Sequence, residues 1–204
     1  MGVPSRAATG ERRRQILDAA LRCFAEHGYE ATTLGHIRER SGASTGSIYH
    51  LFASKEEIAG AVYLDGLGRY QEGFLEVLGR KKTAESIVRA CVEYYLGWVE
   101  ANEPLARFIL HTRQAELVPA VRNDLRTMNR DFFGKLAETI ESHVCAGQIK
   151  PMPRELFHAV VMGPAHEYAR TWLAGRRKVA LREASRLLAE AAWDGVRAEG
   201  ARGR

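Results

Sequence analysis

The apolar residues of this chain recur at helical spacing almost from end to end, and no stretch alternates apolar and polar residues long enough to make a strand. That single feature points to an all-α protein. A first helix is expected to begin after Thr9, to carry Ile16, Leu17, Ala20, Leu21 and Phe24 on one face, and to end at Gly28. Two short helices follow. Thr33 caps one that runs through Ile37 to about Arg40, Ser41-Gly42-Ala43 makes a tight turn, and Ser44 caps another with Ile48, Tyr49 and Leu51. Ser54-Lys55-Glu56-Glu57 reads as a capping box that opens a long helix to about Leu78.

Beyond a loop at 79–83, a helix with Val88, Val92, Tyr95 and Val99 stops before Pro104, and a short one carries Phe108 and Ile109. A long segment starting near Pro119 runs through Leu125, Met128, Phe132, Leu136 and Ile140 to Gly147. After the break at Lys150-Pro151-Met152-Pro153, the last two helices are expected from Arg154 to Ala174, interrupted by Gly163-Pro164, and from Val179 to Ala198.

Composition narrows the function classes. The 204 residues are 46% hydrophobic and 27% charged, which excludes a wholly disordered chain. The apolar runs are far short of the roughly 18 residues a membrane span needs, and the N-terminus shows no apolar signal core. Cys23, Cys91 and Cys145 are odd in number and scattered, so a reducing cytosol is the expected setting; Cys91 and Cys145 read as buried, unreactive thiols, with redox sensing as the alternative. The formal charge of +5 is uneven: residues 1–14 carry four Arg against one Glu, residues 174–204 carry eight cations against four acids, and residues 1–60 as a whole stand at only +1. A general basic face is therefore absent, and the placement of particular cations matters more than their number.

Residues 33–52, TLGHIRERSGASTGSIYHLF, form two capped helices around a Gly-containing turn, the pattern of a helix-turn-helix. Lys55 stands in the first turn of its helix, where the macrodipole disfavours a cation unless an anion completes the site, and Arg12, Arg13 and Arg14 repeat the arrangement at the first helix. Phosphates would explain both placements; solvated charges are the alternative. Phe52 reads as core, and Tyr49 as a ring in the core with its hydroxyl free for a phosphate.

In these same residues the chain resembles the N-terminal domain of the TetR-like (TetR/AcrR) family of bacterial transcriptional regulators. The likeness covers residues 9–62: the opening helix to Gly28, Thr32-Thr33, Ser41-Gly42-Ala43, Ser47-Ile48-Tyr49-His50-Leu51-Phe52 and Ser54-Lys55-Glu56. Farther on it rests on helix layout, Gly163-Pro164 and Trp172-Leu173-Ala174-Gly175. The resemblance implies that Thr33 contacts phosphate, that Ser44, Thr45, Gly46 and Ser47 lie along the major groove, and that Tyr49, His50 and Lys55 grip the backbone of a duplex operator. With small side chains and no Arg, Asn or Gln in residues 44–50, sequence readout is expected to rest on close fit and DNA shape. The family often has Ala where Arg38 stands.

The resemblance also implies a homodimer, with the last two long helices of each chain forming a four-helix bundle; Phe157, Val161, Tyr168, Trp172, Leu188 and Trp193 are the candidate interface residues. A two-fold dimer suits half-sites about 34–36 Å apart. Tyr94, Tyr95, Trp98, Phe108, His111, Met128, Phe132, Met162, His166 and Glu167 are candidate lining for an effector pocket, with an uncharged or amphipathic organic effector expected. The division expected is 1–56 for DNA binding and 57–204 for effector binding and dimerisation.

Competing motifs are weaker. Gly42-Ala43-Ser44-Thr45-Gly46 fits G-x-S-x-G, but a nucleophile elbow needs a strand before the serine. His158 and His166 stand eight apart, roughly 12 Å along a helix, too far to share an ion. No catalytic set, metal site or cofactor is expected. The expectation is a repressor released from its operator by a small organic molecule, against the alternative of a sequence-tolerant architectural DNA binder without an effector.

Overall fold

The computed structural model describes residues 6–111, 114–176 and 178–199, with the side chains of Arg6 and residues 111–120 outside that description. Within it the chain is helical: α1 (Arg6–His27), α2 (Leu34–Ser41), α3 (Thr45–Leu51), α4 (Lys55–Gly79), α5 (Ala84–Ala101), α6 (Glu103–His111), α7 (Gln114–Cys145), α8 (Arg154–Leu173) and α9 (Leu181–Val196). Among the described residues the only extended pairing is an isolated bridge between Ile149 and Arg197. No helix among them is long and apolar enough to cross a membrane.

Two expectations about helix limits are corrected. α1 starts at Arg6 rather than after Thr9, because Ala7 and Ala8 are strong helix formers and carry the turn backwards. α8 runs without a break through Gly163-Pro164. Pro164 supplies no N–H to the Val160 carbonyl, yet both residues lie on the exposed side, where solvent can stand in for the missing donor.

The chain divides into two compact units, one formed by the residues up to Gly68 with Pro104–Arg126, the other by Arg69–Glu103 with the residues from Thr127 onward. In the first, α1 packs on α2, and Ile16, Ala20, Phe24, Ile37, Ile48 and Phe52 are buried. Phe24 stacks on Phe108 with ring centroids 5.1 Å apart, so α6 closes this core. Gly66 admits that packing, since a Cβ there would meet the Leu105 side chain at 2.7 Å.

In the second unit α5 packs against α8 and α9, and α8 against α9. The face of α5 carrying Val88, Val92, Leu96 and Val99 is fully buried, as its i, i+4, i+8, i+11 spacing requires. Tyr70 sits among the rings of Phe74, Tyr94, Tyr95 and Trp98. The chain leaving α7 is tied to the end of α9 by Lys150 N–H to the Val196 carbonyl (2.8 Å) and Ala198 N–H to the Gln148 carbonyl (3.1 Å).

Candidate nucleic-acid interface

The turn after α1 is built by Gly28, at φ 79°, whose N–H closes on the Phe24 carbonyl at 3.0 Å. The buried Thr32 hydroxyl donates toward the Gly28 carbonyl at 2.7 Å, which fixes the entry to α2. Thr33 then caps α2: its Oγ1 accepts the His36 N–H at 3.2 Å, and His36 Nδ1 accepts the Thr33 N–H at 3.4 Å. Gly42, at φ 65°, ends α2 in the left-handed conformation that a side chain rarely adopts.

Ser44 caps α3 through its Oγ, which accepts the Ser47 N–H at 3.1 Å. Ile48 and Phe52 anchor the helix in the core at 2% and 3% exposure. Thr45, Gly46 and His50 are exposed, Ser47 half-buried. α3 thus presents a face of small polar residues next to a backbone without a Cβ at Gly46, where an added Cβ would find nothing within 4 Å. Tyr49 departs from expectation: it is 57% exposed, because the helical turn that sends Ile48 and Phe52 inward sends residue 49 outward. The same geometry places Ser44 before a helix and after a helix-ending glycine, with no preceding strand, so it is a cap and not a nucleophile elbow.

Lys55 has partners that sequence reasoning did not foresee. Its Nζ donates to the carbonyls of Tyr29 (3.0 Å) and Glu30 (3.2 Å) and lies 4.5 Å from the Tyr29 ring centroid. The carboxylate of Glu56 beside it is held below its ordinary range, first by a hydrogen bond from its own backbone N–H at the helix start, then by the Ser54 hydroxyl. Two carbonyls and a ring, with the Glu56 carboxylate nearby, thus give Lys55 partners within its own chain. The capping box is likewise shifted: Ser54 Oγ accepts the Glu57 N–H, but Glu57 accepts the N–H of Ala53 rather than that of Ser54.

At α1, Arg12, Arg13 and Arg14 are exposed; Arg14 pairs with Glu11 at 3.1 Å and the Arg13 guanidinium lies 5.5 Å from the Phe52 ring centroid. Arg38 is exposed. Sequence reasoning missed the two-pronged Arg40–Glu26 pair, 2.5 Å at each prong, which joins α2 to α1 and holds the Glu26 carboxylate below its ordinary range. A separation of 14 residues gave no local signal of it.

The pocket candidates scatter. Phe108 belongs to the first unit, against Phe24, and the side chain of His111 lies outside the described residues. Glu167 is exposed and pairs with Arg170. Tyr94, Tyr95 and Trp98 join the Tyr70 cluster, Phe132 packs on Phe74, and Met128 is half-buried. His166 lies 4.7 Å from Tyr95, ring to ring. A cavity of about 290 Å³ does lie in the second unit; of the candidates, Met162 reaches it, along with Phe157 and Val161 from the interface set. Its other wall, Phe133, Leu136, Ile140 and Val144 of α7, has the spacing of ordinary core residues and so gave no separate sign.

Among the interface candidates, Val161, Trp172 and Trp193 are buried within the chain, while Phe157, Tyr168 and Leu188 are half-buried. Leu156, Val160 and Leu187 are the exposed large aliphatic residues on these helices. Cys91 is buried, which pushes its thiol up to about 12, whereas Cys145 is exposed, contrary to expectation, because it ends α7 on its outer side.

His158 and His166 stand closer together than their axial rise suggests. The His158 and His166 ring centroids are 5.5 Å apart, since the side chains lean toward each other across the axial rise. Even so, no group of three metal-ligating residues occurs among those described.

Residues 16–62 match the family described as bacterial regulatory proteins, tetR family. The fatty acid metabolism regulator protein of Bacillus subtilis is 24% identical over 184 residues, covering 89% of this chain and 94% of that protein. The transcriptional repressor AcnR of Corynebacterium diphtheriae is 28% identical over 159 residues, covering 78% and 79%. Among solved structures, the regulator FadR from Bacillus subtilis in complex with stearoyl-CoA superposes with a TM-score of 0.76 at 24% identity, over 89% of this chain and 98% of that one. A TetR family transcription regulator from Marinobacter aquaeolei superposes with a TM-score of 0.76 at 21% identity, over 96% and 100%. The helix-turn-helix of residues 16–62 is that of the bacterial regulatory proteins of the tetR family, and over most of its length the chain is similar to regulators of transcription.

Proposed function

We propose that the protein is a repressor that binds a pseudo-palindromic duplex operator as a homodimer and leaves it when a small organic effector binds. The observation that carries the reading is the outward face of α3: Thr45, Gly46 and His50 exposed on a helix pinned from behind by Ile48 and Phe52. Such a face can enter a major groove closely, with the Thr45 methyl against a thymine methyl. Thr33 meets phosphate at its helix start, Ser44 and Ser47 lie along the groove, and Arg12, Tyr49 and His50 grip the backbone. Lys55 serves by fixing α4 to the turn after α1, which orients the motif. DNA binding is assigned to residues 1–56 and effector binding with dimerisation to 57–204.

The dimer reading is supported by Leu156, Val160 and Leu187, aliphatic side chains of α8 and α9 that the chain leaves in water at 57%, 39% and 50% exposure. Phe157, Tyr168 and Leu188 complete that interface, while Val161, Trp172 and Trp193 support it from within. The effector reading is supported by the cavity of the second unit and by the stearoyl-CoA bound to the Bacillus subtilis regulator of the same fold. Release requires differential affinity of the effector for the two states, about 5.5 kcal/mol to invert an occupancy of 99:1.

Selection of bound duplexes from a random pool at a fixed salt concentration tests the reading. A palindromic winner bound roughly 10³-fold or more above random duplex is expected. Equal affinity for all duplexes would leave an architectural binder instead.

A further inference from the structure

The cavity of the second unit has a direction. Phe74, Cys91 and Met162 line it and are buried, whereas Lys150 is half-exposed and Arg154 and Glu141 are exposed. One end is therefore apolar and closed from water, and the other carries two cations against one carboxylate. Lys150 is steadied there by its Nζ reaching the Gly195 carbonyl at 3.4 Å. Arg154 has no ion-pair or hydrogen-bond partner among the described residues, and neither has Glu141. His158, on the same wall, adds no charge near neutral pH, since desolvation holds it below the usual histidine range.

We propose that this cavity takes an amphipathic anion, with an apolar chain running inward to Phe74, Cys91 and Met162 and an anionic head held by Lys150 and Arg154. The inference rests on the effector reading above and goes beyond it by fixing the ligand's charge, its orientation and the residues that select it. The apolar chain gains by leaving water along the inner wall. The head group supplies an acceptor for a guanidinium that otherwise lacks one, and charge-assisted hydrogen bonds are the stronger kind. A free carboxylate and a phosphate-bearing conjugate of the same chain share this chemistry.

Calorimetric titration of the full chain with sodium decanoate, decanoyl-CoA and decan-1-ol distinguishes them. The alcohol loses less hydration than the acid on burial, so without the cations it would bind at least as well as either anion. At neutral pH at least one anion should bind roughly tenfold more tightly than the alcohol, and whichever does so names the source of the charge. The double variant Lys150→Gln with Arg154→Gln should remove that advantage while leaving decan-1-ol within about twofold. Both positions are on the surface, so the variant should fold. Ala137→Phe, which fills the cavity, should weaken all three probes.

The proposal is overturned if the alcohol matches both anions, if the double variant keeps the anion's advantage, if Ala137→Phe changes nothing, or if no probe binds. If an anion binds as expected but leaves the affinity for DNA unchanged, the ligand class stands and the effector reading falls.

Discussion

Lys55 holds two parts of one residue at once: its Nζ is 3.0 Å from the Tyr29 carbonyl oxygen and 4.5 Å from the centroid of the Tyr29 ring. The start of α4 is thereby fastened to the turn that leaves α1, the turn from which α2 and α3 are hung. A cation at a helix N-terminus is normally disfavoured, and here carbonyl acceptors and an aromatic face offset that cost.

Replacing Lys55 by Met should therefore lower the stability of the protein by about 1–2 kcal/mol, the worth of a charged hydrogen bond with a ring contact. Urea denaturation measures this. DNA affinity should fall through misorientation of α3, with the slope of log affinity against log salt unchanged. A slope shallower by about one would instead make Lys55 a direct phosphate ligand.

Gly46 separates stability from recognition. A Cβ at this position meets nothing within 4 Å, and Ala is a better helix former than Gly by up to about 1 kcal/mol. Gly46→Ala should leave the melting temperature unchanged or raised, yet weaken operator binding roughly tenfold if the α3 backbone approaches the base edges. Melting curves and DNA titrations on the same preparation decide it. Unchanged affinity would mean that α3 stands farther from the groove than proposed.

The helix-turn-helix was legible because its signals are local. Thr33, Gly42 and Ser44 each act on backbone within a few residues, so their meaning is written beside them. The partner of Lys55 lies 26 residues away and that of Arg40 14 residues away, and nothing near either residue announces them. Tyr49 misled for a different reason: an aromatic ring ordinarily belongs inside, and only the phase of α3, set by Ile48 and Phe52, turns it out. The pocket was least legible. Apolar residues facing a void have the same spacing as apolar residues facing each other, so Phe108, at home against Phe24, could not be told from Met162 at the cavity.

Tyr95 carries a hydroxyl that is buried without a hydrogen-bond partner among the described residues. Burial pushes its pKa up to about 12, so it stays protonated and keeps an unused donor in the core. Tyr95→Phe removes that donor with little change of shape and should raise stability by about 1 kcal/mol. A thermal melt checks it. A loss of stability would show that the hydroxyl has a partner in solution.

His166 makes the second unit sensitive to acid. Burial, and then the nearby His158, bring its pKa down to about 4 from an ordinary 6.5. The folded protein therefore binds fewer protons than the unfolded chain between those values. His166 costs nothing above about pH 6.5, and stability is lost progressively as the pH falls from there to about 4. At pH 5 the full shift corresponds to at most about 2 kcal/mol, and partial solvent contact brings the expected loss nearer 1 kcal/mol. His158 is shifted in the same direction by desolvation, so it adds to the loss. Replacing His166 by Leu should remove most of the difference in urea stability between neutral pH and about pH 5, where the wild type weakens. An equal pH dependence in the variant would assign the acid sensitivity to other groups.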